Sequence, residues 1–368
     1  MVSVCLVAAP LVARSGVYRS ARETVLEARR QGLDWSLYLG VSSRARGERP
    51  ADDPPWLVED VFEPNALRGV HALRRSLARQ PITASSEILI SLNPQADMAL
   101  ATMGKPWVAY LRGQPWPAPG ESSSAKRLAW QLIERVALRR AAAIWATTTT
   151  LRQSVDPAGR MPIVPAGIKS VPRTWDGRGN RRRVVWAARY ERDKNPFLFS
   201  GIISELLDTD LQGRMFGSGP LEAELCAAAP DNLAVCGWAP PNELWEDALV
   251  YVGTSHREAF GRSAVEAAMA GVPVIVSQDF GAAELLYTDV ALRRRFVLDP
   301  NDISAWSDAI RSLRNDEGLR VEASNHVFAN ANKLSIEHSV RVMRAQLAQT
   351  FGSHLAGVSN GGKGDDDA

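Results

Sequence analysis

Short, nearly continuous apolar runs recur along the chain, and most are followed by a stretch with helical spacing of apolar and polar positions. In the first half VSVCLVAA reads as a strand, Val17 to Gln31 as a helix ended by Gly32, and WSLYLG as the next strand. Residues 66–79 read as a helix and EILISL as a strand. Gln95 to Met103 reads as a helix closed by Gly104, and PWVAYL as a strand. A long helix over about Ala125 to Arg140 precedes the strand AAAIWAT. Runs that are apolar at every position have no solvent face, so the pattern predicts parallel sheets covered by helices on both sides.

Residues 167–182, GIKSVPRTWDGRGNRR, interrupt this alternation with proline, glycine and charge and read as a linker. A second series then begins: VVWAAR, a helix from Pro196 to Leu207, GRMFG, a helix from Pro220 to Ala228, NLAVCGW, a short helix from Asn242 to Asp247, and LVYVGTS. After the strand VPVIV come a helix over Ala282 to Tyr287, the strand RFVL, and a helix opened by Asn301 or Asp302. A final helix over about 335–352 has no strand after it. The predicted organisation is α/β, with two Rossmann-like domains at 1–166 and 183–334. Residues 357–368, GVSNGGKGDDDA, have nothing apolar to bury and read as a disordered tail.

Composition narrows this picture only slightly. The 368 residues suffice for two ordinary domains, and 45% hydrophobic with 23% charged residues is typical of globular chains. A net charge of +2 without a basic, aromatic-interleaved block gives no reason to expect nucleic acid. Three cysteines, Cys5, Cys226 and Cys236, form no CxxC pair, so neither a disulfide framework nor a metal site is expected and the compartment reads as reducing and cytoplasmic. VCLVAAPLVA lacks a basic leader and reads as a first buried strand rather than a signal peptide. No run approaches the roughly 18–20 apolar residues of a membrane span.

The richest segment is VYVGTSHREAFGRSAVEAAMAGVPVIVS, Val250 to Ser277. It reads as strand, loop, helix from near Ser263 to Gly271, and strand, with Glu258 and Glu266 at the loop-to-helix junction. Free amides and the dipole at a helix N-terminus attract anions, and two nearby carboxylates suit hydroxyl groups. A sugar nucleotide carries both. Local spacing leaves a second role for Glu266, because Ser263 and Glu266 also spell a capping box.

The block EAFGRSAVEAAMAGVPVIVS resembles the signature of retaining glycosyltransferases of family four, which have the GT-B fold of two facing Rossmann-like domains. In that signature two glutamates are separated by seven intervening residues, the first followed by small-Phe-Gly and the second by A-x-A-x-G-x-P-V-I. The resemblance covers residues 183–317 well and the first half weakly. It implies that Glu258 binds a donor-sugar hydroxyl and Glu266 the ribose, with amides around Phe260, Gly261 and Arg262 holding sugar and phosphate. WAARYERDKNP matches the family's G-R-x-x-x-x-K pattern, with Ala188 in place of glycine and Arg189 and Lys194 on the two basic positions. In the family these two contact the donor diphosphate, where fixed cations stabilise developing charge. MFGSGP resembles the family's G-x-G-P turn, with Gly217 and Gly219, and Trp238 in VCGWAPPNEL is a base-stacking or a packed aromatic.

The resemblance further implies a nucleotide-sugar donor (UDP-, GDP- or ADP-), no cofactor and no metal, and a last helix that crosses back to the first domain. In the first domain Gly16, before a helix, is the matching phosphate-side glycine. Arg112-Gly113-Gln114 stands where the family often has histidine, so Arg112 is left between an acceptor anion and a core-edge carboxylate. A glycan, lipid, protein or small-molecule acceptor stays open, as do a sugar-nucleotide epimerase and a non-catalytic binder of the same fold. Asp208-Thr-Asp210 reads as a turn rather than a metal motif, and His256 as an exposed loop residue. The basic helix AKRLAWQLIERVALRRA reads as an ordinary packed helix with a solvated face, with contact to an anionic membrane as the alternative.

Overall fold

A computed structural model describes residues 2–14, 16–51, 54–62, 66–116 and 123–358. The chain divides into two units, one of residues 1–147, 151–167 and 336–368, the other of 148–150 and 168–335. Of the tail expected at 357–368, residues 357 and 358 instead belong to the last helix, Ile336–Val358, and the rest lie outside the described residues.

The first unit runs β1 (Val4–Ala13), α1 (Val17–Arg30), β2 (Trp35–Arg46), β3 (Leu57–Phe62), α2 (Ala66–Arg79), α3 (Pro81–Ser85), β4 (Ile88–Ser91), α4 (Pro94–Leu100), β5 (Trp107–Leu111), α5 (Ser124–Leu138), β6 (Ala143–Ala146) and α6 (Thr149–Val155). All neighbouring strands are parallel, in the order β3-β2-β1-β4-β5-β6. The strand period of two sorts side chains into two cores. Val4, Leu6 and Ala8 join α1 residues Tyr18 and Val25 in one, and Cys5, Val7 and Ala9 join Leu73, Leu77 and Ala99 in the other. Burial pushes the Cys5 thiol up to about 12, against weaker hydrogen-bonding effects, which marks it as a core side chain.

The second unit runs β7 (Arg183–Ala187), α7 (Pro196–Ser204), β8 (Gln212–Phe216), α8 (Glu222–Ala227), β9 (Leu233–Val235), α9 (Pro241–Leu244), β10 (Ala248–Gly253), α10 (Arg262–Met269), β11 (Val274–Ser277), α11 (Ala283–Leu286), α12 (Val290–Phe296), β12 (Val297–Leu298), α13 (Ile303–Asn315) and α14 (Glu317–Ala331). Its parallel order, β12-β11-β10-β7-β8-β9, repeats that of the first sheet when strands are counted from the start of the unit. Each sheet therefore has one switch point where successive connections leave in opposite directions: β1/β4 in the first and β7/β10 in the second. Helix α15 (Ile336–Val358) returns to the first unit, where Val340, Met343 and Leu347 enter the α1-side core and Ser339 Oγ donates to the Pro165 carbonyl.

The structure departs from the sequence expectation at several elements. LVEDVF is an edge strand, β3, which the pattern did not reveal because only Leu57 is fully buried and Glu59 and Asp60 interrupt the apolar run. The expected strand RFVL is only Val297–Leu298, since Arg295 and Phe296 finish α12, capped by Asp289. A separate helix, α14, opens on the Asp316 cap. Helix α5 packs through Ala137 and Leu138 and exposes Lys126, Arg135, Arg139 and Arg140, as a packed helix with a solvated face should, but that face is not polar throughout. Glu134 is fully buried, while Leu128, Leu132, Ile133 and Val136 are exposed. Burial and the neighbouring Asp97 carboxyl push Glu134 well above the usual carboxylate range, so this inward pair retains a proton.

Candidate functional site

Three loops leave the C-terminal ends of β7, β8 and β10, the central strands of the second sheet, and they carry most of the residues singled out above. The first begins after Ala187. Tyr190 turns back under the strand, stacking on Trp186 at 5.7 Å and donating its hydroxyl to the Met215 carbonyl at 2.9 Å. A single tight turn, Arg192–Lys194, ends at Asn195, whose left-handed φ of 49° sets up α7 with Pro196 as its first residue. Thr254, just after β10, fixes this turn. Its hydroxyl lies 3.0 Å and 2.9 Å from the carbonyls of Lys194 and Asn195 and accepts from Trp186 Nε1 at 2.9 Å. The His256 amide donates to the Asp193 carbonyl at 3.0 Å.

This scaffold brings Lys194 and Glu258 together across the switch point, with Nζ 2.8 Å from Oε2 and 3.2 Å from Asp193 Oδ2. Burial works to lower the lysine's pKa, but the charges and hydrogen bonds of Glu258 and Asp193 outweigh it and hold the group above its ordinary value. Lys194 is thus a fixed cation, its side chain only 12% exposed. Arg189, half exposed, pairs with Glu191 at 2.5 Å and lies 4.0 Å from Asp193. Sequence reasoning assigned the two cations and Glu258 but not Glu191 and Asp193. The signal was present in ERDK, where acids alternate with bases within one turn.

Gly217 makes the second loop possible. At its φ of 149° a Cβ would stand 1.9 Å from the Ala188 carbonyl oxygen, so only glycine lets the β8 exit lie against the Arg189 loop. Gly217→Ala is expected to cost about 2–3 kcal/mol through overpacking and backbone strain. A thermal melt checks this against Gly113→Ala, whose Cβ has open space. The Gly217 amide donates to the Gly237 carbonyl at 2.8 Å, which ties in the exit of β9. There Trp238 is 72% exposed, so the packed-aromatic reading is excluded and the ring is available to a ligand.

The third loop folds onto the β11 exit. Gly281 donates to the Glu258 carbonyl at 2.7 Å and Ala282 to the Phe260 carbonyl at 2.8 Å, while the Phe260 side chain is buried. Gly261, at φ 96°, is the N-cap of α10, and a Cβ there would meet the Phe280 ring at 1.9 Å. This overturns the capping-box reading. Helix α10 starts at Arg262, two positions beyond Gly261 stands Ser263, and Glu266 sits too deep in the helix to cap it. Desolvation raises the pKa of Tyr251, and the charges of Glu258 and Glu266 push the same way, so the two carboxylates flank one corner. Arg262 and Glu266 pair at 3.6 Å. Thr148, not anticipated, supports the loop by donating to the Ala259 carbonyl at 3.2 Å.

Gly16 lies in the first unit as the exposed, left-handed N-cap of α1. Its neighbour Ser15 lies outside the described residues. Arg112, also in the first unit, lies over the Tyr110 ring and donates to Ser20 Oγ at 2.5 Å. Asp208 and Asp210 are engaged by Arg311 at 2.6 Å and Arg314 at 2.9 Å, and both acids are held below their ordinary pKa by those arginines, as the turn reading requires.

Residues 172–333 match the family model described as Glycosyl transferases group 1. The chain is 30% identical over 164 residues to a 2-deoxystreptamine N-acetyl-D-glucosaminyltransferase of Niallia circulans, 40% of this chain and 41% of that protein. It is 27% identical over 240 residues to a D-inositol 3-phosphate glycosyltransferase of Acidothermus cellulolyticus, 55% of this chain and 53% of that protein. These alignments thus span about half or less of each relative's length. Among solved structures, sucrose-phosphate synthase from Thermosynechococcus elongatus matches with a TM-score of 0.75 at 16% identity, covering 95% of this chain and 100% of that one. Anabaena HepE in complex with UDP matches with a TM-score of 0.70 at 14% identity, covering 94% and 100%. The fold, two parallel six-stranded sheets with helices, is that of GT-B proteins.

Proposed function

We propose that this chain, whose residues 172–333 belong to the Glycosyl transferases group 1 family, is a retaining glycosyltransferase. It moves a sugar from a UDP-, GDP- or ADP-sugar to a glycan, lipid or protein acceptor. The observation that carries the reading is the Lys194–Glu258 pair at 2.8 Å, which spans the switch point of the second sheet with Arg189 on the same loop. Ligands of open α/β sheets bind outside the carboxyl ends of the strands at such a point. Departure of a nucleoside diphosphate leaves negative charge on the phosphate, and a permanently charged, immobile lysine stabilises it as it forms.

The acids beside the cations define what binding must do. Diphosphate competes with Asp193 and Glu191 for Lys194 and Arg189, and Glu258 is released toward a donor-sugar hydroxyl. Glu266 takes the ribose hydroxyls, the amides of Phe260, Gly261 and Arg262 take sugar and phosphate oxygens, and the Trp238 ring takes the base. Two protein cations in this role make the reaction independent of a divalent metal. The departing phosphate oxygen accepts the acceptor's proton on the same face of the sugar, which gives retention without a protein nucleophile.

A thermal-shift series with UDP, GDP, ADP and their sugars tests the reading, with UDP first because HepE was solved with it. One diphosphate at a hundredfold its Kd should stabilise the protein by about 2.7 kcal/mol, unchanged by EDTA. No stabilisation up to millimolar concentrations defeats it, and stabilisation that EDTA abolishes defeats its metal independence.

A further inference from the structure

Both cations of the first site loop are held by the chain's own carboxylates. Resting on the donor-site reading above, we propose that Glu191 and Asp193 determine selectivity for donor over product and drive the spent nucleoside diphosphate out. Arg189 lies 2.5 Å from Glu191 and 4.0 Å from Asp193, and Lys194 lies 3.2 Å from Asp193 and 2.8 Å from Glu258. Asp193 thus stands within ion-pair reach of both cations. The backbone holds the acids in place. The Lys194 amide donates to the Glu191 carbonyl at 3.0 Å, the Asn195 amide to the Arg192 carbonyl at 3.1 Å, and the His256 amide to the Asp193 carbonyl at 3.0 Å. A diphosphate therefore meets competitors tethered beside its own binding groups, at a high effective concentration. The side chains of Glu191 and Asp193 are 22% and 34% exposed, so a ligand's charge can reach them.

Charge separates product from donor. Transfer breaks the bond between the anomeric carbon and the terminal phosphate oxygen, and the electron pair stays on that oxygen. The acceptor oxygen takes the anomeric carbon and gives its proton to the phosphate. The last pKa of a terminal phosphate is about 6, so above that pH the proton passes on to water. The product then carries one more negative charge than the donor. Two fixed cations alone would hold the product more tightly than the donor. Carboxylates on the same turn offset that preference, because their repulsion grows with the charge of the ligand. As the diphosphate leaves, they close the ion pairs again, and the 12% exposed Lys194 is not left as an unpaired charge. If Glu191 and Asp193 only positioned the cations, removing their charges would loosen the loop and weaken nucleotide binding. Ejection requires the opposite sign.

Titration calorimetry of the full chain with UDP and UDP-glucose tests this, comparing the parent with the double variant Glu191→Gln, Asp193→Asn. The GDP or ADP pair takes their place if thermal shift selects another base. In the double variant the Kd for UDP should fall about fivefold or more, the scale of one partly exposed ion pair. The Kd for UDP-glucose should fall by less, and both gains should shrink in high salt. Asp193→Glu keeps the charge and should leave UDP affinity at the parent's level. The substituted side chains are partly exposed and keep their size, so the melt should match the parent's. If the double variant does not fold, Asp193→Asn alone carries the same expectation. Unchanged or weaker UDP binding overturns the proposal and leaves the donor site standing. So does tightening of equal size for UDP and UDP-glucose. A parent that binds no nucleoside diphosphate defeats the donor-site reading itself, and this inference falls with it.

Discussion

Lys194→Ala is expected to lower turnover by about 10²–10³-fold, the usual effect of losing one preorganised donor at a site of developing charge. The fold should survive. Lys194 is 12% exposed but its partners Glu258 and Asp193 are 22% and 34% exposed, so water reaches the carboxylates once the ammonium is gone. A partly exposed pair of this kind contributes on the order of 1 kcal/mol, or a few degrees in the melting temperature. Turnover and a thermal melt on one preparation separate the two effects. Full activity in the variant removes Lys194 from the chemistry, and a collapse of the melt reduces it to a structural role. Its titration supports the same assignment. The folded pKa is raised, so the stabilisation it gives is fully present below the unfolded value of about 10.4 and is lost only as pH rises through the still higher folded value. Between pH 6 and 9 Lys194 therefore contributes no limb to the rate profile, and Lys194→Arg, which keeps the charge, should restore more activity than Lys194→Gln.

The physics also explains which parts of the site could be read from the chain. Parallel strands buried on both faces write themselves as apolar runs, so VYVG and VPVIV announced β10 and β11. Glycines forced by close approach, such as Gly217 against Ala188 and Gly261 against Phe280, are visible in sequence as residues, but the reason for them lies in another segment. The same holds for the acids. Glu191 and Asp193 were plain in ERDK, yet their partnership with Arg189 and Lys194 depends on a turn that Thr254 holds from another strand. The edge strand β3 escaped because an edge need not be apolar, and its Glu59 is instead bonded to Arg14 and Tyr18. Helix α5 misled most. Amphipathic spacing states that a helix has two faces, but not which of them turns inward, and here Glu134 is buried with Ala137 and Leu138 while the row Leu128, Leu132 and Val136 is exposed.

Glu266→Gln is expected to weaken nucleotide binding by about 10- to 100-fold while moving the melting temperature little. The capping-box alternative gave this residue a structural task, and the position of the N-cap at Gly261 takes that task away. Its local contacts include the pair with Arg262 at 3.6 Å, an i,i+4 contact worth about 0.3–0.5 kcal/mol on a helix surface. A carboxylate that accepts a ligand hydroxyl contributes more, about 1.5–3 kcal/mol for a charged hydrogen-bond partner. Each 1.4 kcal/mol is tenfold in Kd, which sets the expected loss. Titration calorimetry with the nucleotide found by thermal shift measures this directly, and the 2′- and 3′-deoxy nucleotides supply the control. If Glu266 binds the ribose, the variant and the deoxy ligand remove the same interaction, so their effects do not add. Additive losses would place Glu266 elsewhere than on the ribose. An unchanged Kd with a lowered melt would return it to the helix.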